Sequence, residues 1–359
     1  MTKHRFSTAA LSDWMREGPE SDVVISSRIR LARNLSHQPF PLLATTVQSD
    51  QVLEQLSVVS ENGGLDELGT FTTILLKDLS ELDKRVLVEK HLISPSLANE
   101  SRAGAVILSD NEAISIMINE EDHLRIQCLH PGFQIREAWK VANEIDDCYE
   151  AAIEYAFDEN KGYLTTCPTN VGSGLRASVM MHLPALVLTQ QINRILSAVS
   201  QVGLTVRGLY GEGSEALGNL FQISNQITLG QSEEEIIDNL YGVAKQIIEH
   251  EKAARRKLMN ESYRRLEDRI KRSYGILSYA SIMDSKEAAQ RLSDIRLGAD
   301  LGILPQVAPH LYNELLIMTQ PGFLQQRYEE KLSPEDRDVK RAELIREHLN
   351  TFEHGGASQ

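Results

Sequence analysis

Arg28 and Arg30 stand two residues apart in the stretch VVISSRIRLARNL, residues 23–35. In a strand that spacing puts both on one face, with Ser26 beside them. Guanidinium groups among Val, Ile and Leu are costly to bury unless something anionic meets them. The pair therefore reads either as surface arginines of an edge strand or as part of an anion site. A second group, NEEDHLR (119–125), brings three acids, His123 and Arg125 into one polar turn. It reads as a solvated turn, as a metal site, or as a carboxylate that meets a cation, although no second His stands at ligand spacing. A third, CPTNVGSGLR (167–176), has two glycines that would let backbone amides approach an anion, with Arg176 following at once. Its alternative is a plain Gly-Ser turn. Neither a Gly-Lys-Ser/Thr phosphate loop nor the HRD and DFG set of ordinary protein kinases is present.

The elements that must position these groups follow from periodicity. Residues 104–130 alternate branched apolar and polar residues in three runs, broken at SDNE and NEEDH, which predicts three strands. An amphipathic helix is expected over 133–158, with Ile135, Trp139, Ala142, Ile145 and Tyr149 on one stripe. KGYLTT, LTVRGLY and NLFQISNQITL read as further strands. Short connections between them favour an antiparallel sheet carrying helices, an α+β layout. From about residue 230 the pattern is almost wholly helical. Ser232 with Glu235 forms a capping box, Asp284 or Ser285 opens another helix, and Ser333 caps a third with Pro334 at its first position. The organisation is thus a mixed domain over roughly 20–250 and a helical one over roughly 255–350. The basic run 252–272 reads as a solvated helix face.

Bulk properties narrow the function classes. The 359 residues suffice for two domains of ordinary size. A formal net charge of -14 argues against a general nucleic-acid or membrane-surface binder. Cys128, Cys148 and Cys167 form no CxxC pair, so neither a zinc site nor a disulfide framework is expected, which fits a reducing, cytoplasmic compartment. The N-terminus lacks the apolar core of a signal peptide, and the apolar run ASVMMHLPALVL is interrupted by His182 and Pro184, too short to span a bilayer.

SSRIR, NEEDHLR and CPTNVGSGLR occur in the order found in phosphagen (guanidino) kinases, and the chain resembles that family over roughly residues 20–250. The resemblance implies an antiparallel sheet flanked by helices, the glutamine-synthetase-like catalytic domain, over 21–252, after an N-terminal extension (1–20) and before a helical domain (253–359). It implies transfer of the γ-phosphoryl group of magnesium ATP to a guanidinium nitrogen, the metal being carried by the nucleotide. Arg28, Arg30, Arg125, Arg176 and Arg207 would clamp phosphate. Ser27, Ser178, Gly208 and Gly211 would line the nucleotide site, with His91 near the base or ribose; its alternative is an ordinary packed or surface histidine. Glu121 matches the family's catalytic carboxylate, Cys167 its reactive cysteine. Glu212, in VRGLYGEGSEA (206–216), resembles the second guanidinium carboxylate of the arginine-specific members. The chemistry agrees: phosphoryl transfer relies on positioning and charge neutralisation, and arginine grips phosphate bidentately. Arg33 falls outside the pattern, on the alternate strand face, and reads as exposed.

Only 25 residues precede Ser26, where small-molecule members carry a helical domain that closes over the substrate. The expectation is an unlidded site accessible to arginine on a protein, as in the bacterial protein-arginine kinases. In that branch the resemblance implies protein substrates including a heat-shock repressor and misfolded proteins, delivery to a Clp ATPase and protease, a zinc-finger activator protein, and dimerisation through the helical part. RDVKRA, with Arg337, Asp338 and Arg341, resembles that branch's phosphoarginine-sensing motif; an exposed, salt-bridged helix is the alternative. Two other readings stand beside this one: a small-molecule arginine kinase, and a non-catalytic phosphoarginine-binding adaptor.

Overall fold

Alternation decides where the central strand goes. In a computed structural model describing residues 12–208 and 217–355, β1 (Val24–Arg33) is followed by α1 (Thr46–Glu61), β2 (Phe71–Leu75), α2 (Glu81–Glu89), α3 (Pro95–Glu100), β3 (Ala105–Ser109), β4 (Ile114–Ile118), β5 (Leu124–Pro131) and α4 (Ile135–Glu150). Then come the small hairpin β6 (Phe157–Asp158) and β7 (Gly162–Tyr163), β8 (Leu175–His182), α5 (Pro184–Leu188), α6 (Ile192–Gln201), β9 (Leu204–Gly208) and β10 (Leu220–Asn225). Six further helices complete the chain: α7 (Glu233–Glu261), α8 (Tyr263–Tyr279), α9 (Ser285–Asp300), α10 (His310–Met318), α11 (Pro321–Tyr328) and α12 (Pro334–Gly355). Eight strands form one sheet in the order β2-β3-β4-β5-β1-β8-β10-β9, antiparallel at every pairing. This is the α+β architecture expected from the sequence.

On one face Ile29, Leu31, Ile126, Cys128, Ala177, Val179 and Ile223 are buried against Ala138, Ala142, Ile145 and Tyr149 of α4 and Ile237, Leu240 and Ala244 of α7. Each such aliphatic side chain contributes on the order of 2 kcal/mol. The opposite face divides. Ile25, Leu129, Met180 and Leu220 pack under Leu292, Ile295, Leu315 and Leu316 of the C-terminal helices, together with Trp14 and Met15. The rest of that face carries the arginines. The C-terminal helices therefore form a third layer that covers part of the sheet and stops beside the polar part.

The boundary expected at 252 falls inside a single helix, α7, whose Ser232–Glu235 capping box is present as expected. Nor is the basic run after it wholly solvated. Arg255 is buried, paired with Glu251 at 2.9 Å and Asp300 at 3.4 Å, and donates to the Asp22 carbonyl. Glu251 in turn accepts from the amides of Ala185 and Leu186 at the start of α5. The helix expected over 133–158 ends at Glu150 because the chain turns to pair β6 with β7.

Arg33 corrects the sequence reading: it is not exposed. Facing the α4 side, its guanidinium meets Asp146 at 2.6 Å, lies 3.5 Å over the Tyr163 ring and donates to the Ser173 carbonyl. Tyr155 donates a further hydrogen bond to Asp146 at 3.0 Å. One strand thus sends arginines to both faces, and Arg33 is the one of the three that is paired directly with a carboxylate. Breaking a buried pair leaves an uncompensated charge. Asp146→Ala is expected to lower the unfolding free energy by about 3–5 kcal/mol, measured as a lower urea midpoint at unchanged slope; a loss under about 1 kcal/mol would contradict this account.

Candidate active site

Antiparallel register converts the sequence motifs into one surface. Arg28 is opposite Leu129 on β5 and Ser178 on β8, and Arg30 is opposite Gln127 and Arg176. Ala32 is opposite Arg125. Farther along the sheet, Gln222 pairs with Arg207. Because opposed residues share a face, Arg28, Arg30, Arg125, Arg176 and Arg207 project on the same side from four strands. The structure brings all five predicted phosphate arginines together.

They line two adjoining cavities. The first, about 450 Å³, is bordered by Arg28, Arg30, His91, Arg125, Arg207 and Gly208, with apolar walls from Val88, Ile93 and Met117. Its remaining wall is Leu316, Ile317 and Gln320, from α10 and the turn after it. The second, about 170 Å³, is bordered by Arg30, Glu121, Arg125, Cys167, Arg176 and Arg207.

The charges in this region are unbalanced. Arg28 donates to Gln222 Oε1 at 2.8 Å and to Ser178 Oγ at 3.4 Å, both neutral acceptors. Arg30 Nε is buried with no hydrogen-bond partner among the described residues. Burial, then repulsion from Arg176 and Arg125, brings Arg28 down to about 10. Burial and the neighbouring Arg28, Arg125 and Arg176 also lower Arg30, against a smaller opposing effect of Glu120. His91, held at a positive φ of 59°, is lowered to about 4 by burial and then by Arg28, so its imidazole is neutral near pH 7. Its ring meets Trp14 edge-on at 5.8 Å, and its carbonyl accepts from Gln127.

The acidic turn divides its work. Glu120 accepts from Arg125 at 2.8 Å and Ser94 at 2.6 Å. Asp122 accepts from Asn34 and from the Thr166 amide, both at 2.7 Å. His123 accepts from the Leu35 amide at Nδ1 and bonds the Pro39 carbonyl at Nε2, so both ring nitrogens are engaged and the metal reading of this turn fails. Among the described residues no cluster of His, Cys, Asp and Glu is arranged to hold a metal ion. Glu121 alone remains 40% exposed, meeting Arg125 at 2.9 Å and facing the second cavity. Cys167 faces it across that cavity, its Sγ 3.0 Å from Thr169 Oγ1.

Other expectations need correction. The glycine loop is not an amide cradle: the Gly172, Ser173 and Gly174 amides donate to the Tyr163, Thr228 and Asn170 carbonyls. The glycines serve close approach instead, since a Cβ on Gly174 (φ +65°) would come 2.5 Å from Arg33 Nη1. Ser27 lies on the opposite face from the arginines, donating to the Gly132 carbonyl and accepting from the Gln134 amide, so it lines neither cavity. Ser178 holds Arg28 from beneath. Gly211 and Glu212 lie outside the described residues. Arg337, Asp338 and Arg341 are grouped elsewhere, on α12. Buried Arg341 pairs with Asp338 and donates to the Met283 and Thr319 carbonyls, and Arg337 Nε is buried with no hydrogen-bond partner among the described residues.

Sequence reasoning missed Gln127, Gln222 and Glu120, and the walls from Val88, Ile93, Met117 and α10. Gln127 and Gln222 were findable as polar residues on the arginine parity of otherwise apolar strands. Glu89 was also missed. From the end of α2 its carboxylate accepts the Gly322 and Phe323 amides at 2.7 and 3.0 Å, capping α11 and tying the C-terminal wall to the catalytic layer.

Two family models match: "ATP:guanido phosphotransferase, C-terminal catalytic domain" over residues 52–254, and "Protein-arginine kinase McsB C-terminal domain" over 263–359. The protein-arginine kinase of Brevibacillus brevis is 60% identical over 354 residues, covering 98% of this chain and 99% of that protein. That of Bacillus subtilis is 55% identical over 356 residues, covering 99% and 98%. The crystal structure of lombricine kinase shares the fold with a TM-score of 0.56 at 24% identity, over 69% of this chain and 70% of that one. The duplicated taurocyamine kinase of Schistosoma mansoni, with bound transition state analog components, does so at 0.58 and 21% identity, over 75% and 39%. The chain therefore belongs to the ATP:guanido phosphotransferase family, in its protein-arginine kinase branch.

Proposed function

We propose that this kinase transfers the γ-phosphoryl group of ATP to the guanidinium of arginine residues in proteins. The observation that carries the reading is the gathering of five arginines around two cavities where Glu120 and Glu121 are the carboxylates met, Glu121 being the open one. The polyphosphate would lie across Arg28, Arg30, Arg125, Arg176 and Arg207, with magnesium travelling on the nucleotide and supplying charge neutralisation there. The apolar walls of the larger cavity suit a nucleoside base. Glu121 would orient the incoming guanidinium and accept its proton as the nitrogen attacks. A P–N bond forms, the bond from the γ-phosphorus to the ADP oxygen breaks, and ADP leaves with the electron pair. A free guanidinium is too strongly protonated to attack unaided. Cys167, which lines the same small cavity, would face that guanidinium, and Glu212 is the proposed second carboxylate.

The finer reading follows the branch resemblance. Arg337, Asp338 and Arg341 are proposed to sense phosphoarginine, supported by the buried, partnerless Nε of Arg337. Phosphorylated substrates such as a heat-shock repressor or misfolded proteins would pass to a Clp protease in the cytoplasm, with a zinc-finger activator and a second copy of the chain as partners. No helix among the described residues is long and apolar enough to cross a membrane.

Incubation with ATP and an arginine-bearing protein is expected to give acid-labile phosphate on arginine; acid-stable phosphoserine alone would refute the reading. Glu121→Gln should reduce that transfer about 10²–10⁴-fold while nucleotide affinity stays within a few-fold, as followed by a fluorescent nucleotide. Arg28→Lys should weaken both, since lysine cannot reproduce the bidentate grip.

The pH dependence has a definite sign. Polyphosphate favours the protonated form of Arg28, whose pKa near 10 means that it is charged at pH 7. Nucleotide affinity is thus expected to stay flat between about pH 6 and 8 and to fall above about pH 9. His91, neutral in that range, adds no step. A step near pH 6.5 that vanished in His91→Gln would contradict this. Finally, Glu89→Ala should raise KM for ATP several-fold with little change in kcat, because it frees the wall carrying Leu316 and Ile317.

A further inference from the structure

A second groove opens on the other side of Glu121. It is about 530 Å³ and is bordered by Pro41, Leu42, Glu100, Glu120, Glu121 and Thr166, among others. Glu121 is common to this groove and to the small cavity, and Thr166 precedes Cys167, so the two spaces meet at Glu121. Leu42, which lines the groove, is 79% exposed, and next to it along the chain Leu43 is 78% and Val47, at the start of α1, 66% exposed. Isolated exposed apolar side chains are ordinary, but three within six residues form a patch of the kind that marks binding surfaces.

The rim is firmly held. The Pro39 carbonyl meets His123 Nε2, the Phe40 ring stacks edge-on with His123, and Arg102 donates to the Ala44 carbonyl at 2.8 Å. Thr45 and Gln48 complete a capping box that starts α1. Beneath, Asn119 donates to the carbonyls of Ser49 and Ala103. The leucines are thus displayed by a braced loop rather than left over from a loose one.

We propose that this groove is the polypeptide subsite of the kinase, which takes an extended segment whose target arginine is flanked by apolar side chains. The chemistry favours that occupant. Exposed Glu100 and Glu121 offer negative charge to an arginine entering along the groove, and Arg102, whose guanidinium is turned to the Ala44 carbonyl, is the cation there. Leu42 and Leu43 give the neighbouring side chains an apolar seat. The length of the groove beyond Glu121 is what a free arginine leaves empty and a polypeptide fills. The inference rests on the protein-arginine kinase reading and adds the sequence context that the site selects.

The test compares three acceptors with the full-length kinase and ATP: an acetylated, amidated Gly-Leu-Arg-Leu-Gly peptide, its Gly-Gly-Arg-Gly-Gly counterpart, and N-acetylarginine amide. The leucine peptide is expected to have a KM about tenfold below that of the glycine peptide. In the Leu42→Ser/Leu43→Ser variant that ratio should fall to about one, with kcat for N-acetylarginine amide and the affinity for ATP unchanged. Val47→Ser should reduce the ratio in part, and a thermal melt confirms folding of each variant. The proposal is overturned if the wild type shows no preference, if the variant keeps it, or if the substitutions change only the oligomeric state in sedimentation, which would assign the patch to a second copy of the chain. Absence of phosphoarginine on any acceptor and on whole proteins would instead sink the kinase reading itself.

Discussion

Five guanidinium groups on one face of a sheet, with one exposed carboxylate among them, are a constraint that the rest of the molecule has to satisfy. Like charges in a partly dry site repel, and each loses hydration. The lowered proton affinities of Arg28 and Arg30 express both costs. Such a face persists only if the scaffold beneath is much more stable than the repulsion above it. That explains why the opposite face is a mainly aliphatic layer against α4 and α7, its buried Arg33 fully paired. It also explains why neutral acceptors, Gln222 and Ser178, hold Arg28. A carboxylate there would satisfy the arginine permanently and compete with phosphate.

Arg33 shows the same strand solving the opposite problem. Five residues after Arg28 and on the other face, it is given Asp146, the Tyr163 ring and a carbonyl, a full set of partners. The contrast separates structural from functional arginines on physical grounds: a buried cation whose partners are complete holds the fold, and one whose partners are neutral or missing waits for a ligand. Within the acidic turn the same criterion sorts the carboxylates. Glu120 and Asp122 are buried on partners within the fold, and Glu121 is the one exposed enough to take another cation.

Much of this was legible in the sequence, for identifiable reasons. Period-two alternation located β3, β4 and β5 but not β2 or β8, and the capping box at Ser232 and the cap at Asp284 marked helix starts, because these signals are local. The shared face of Arg28 and Arg30 followed from spacing alone. Its union with Arg125, Arg176 and Arg207 came from family resemblance, since no local rule gives strand order. What was not legible depends on contacts distant in sequence. Arg33 and Asp146 are separated by 113 residues. The glycines of the 167–176 loop have a conformational need that sequence shows, but that the need is close approach to Arg33 rather than to an anion depends on register. Leu316 and Ile317 carried no sequence signal, because their helix is apolar on nearly all sides and only packing reveals that one side ends at a cavity.

That last feature changes how the two parts of the chain relate. The C-terminal helices are not an appendage: they share a core with Ile25, Leu129 and Met180 on the arginine face and supply one wall of the larger cavity. The wall is held at both ends. Glu89 fastens the N-terminus of α11 to α2, and Arg341 holds the Thr319 carbonyl just after α10, one residue before Gln320. Arg341 also pairs with Asp338. Any ligand that draws the Arg341 guanidinium away from Thr319 therefore loosens the backbone beside Gln320, and any ligand that presses on the wall strains the Arg341 contacts. The turn between α10 and α11 is thus the short element that joins the α12 arginines to the cavity wall, and a ligand bound at each end would couple to the other reciprocally through it.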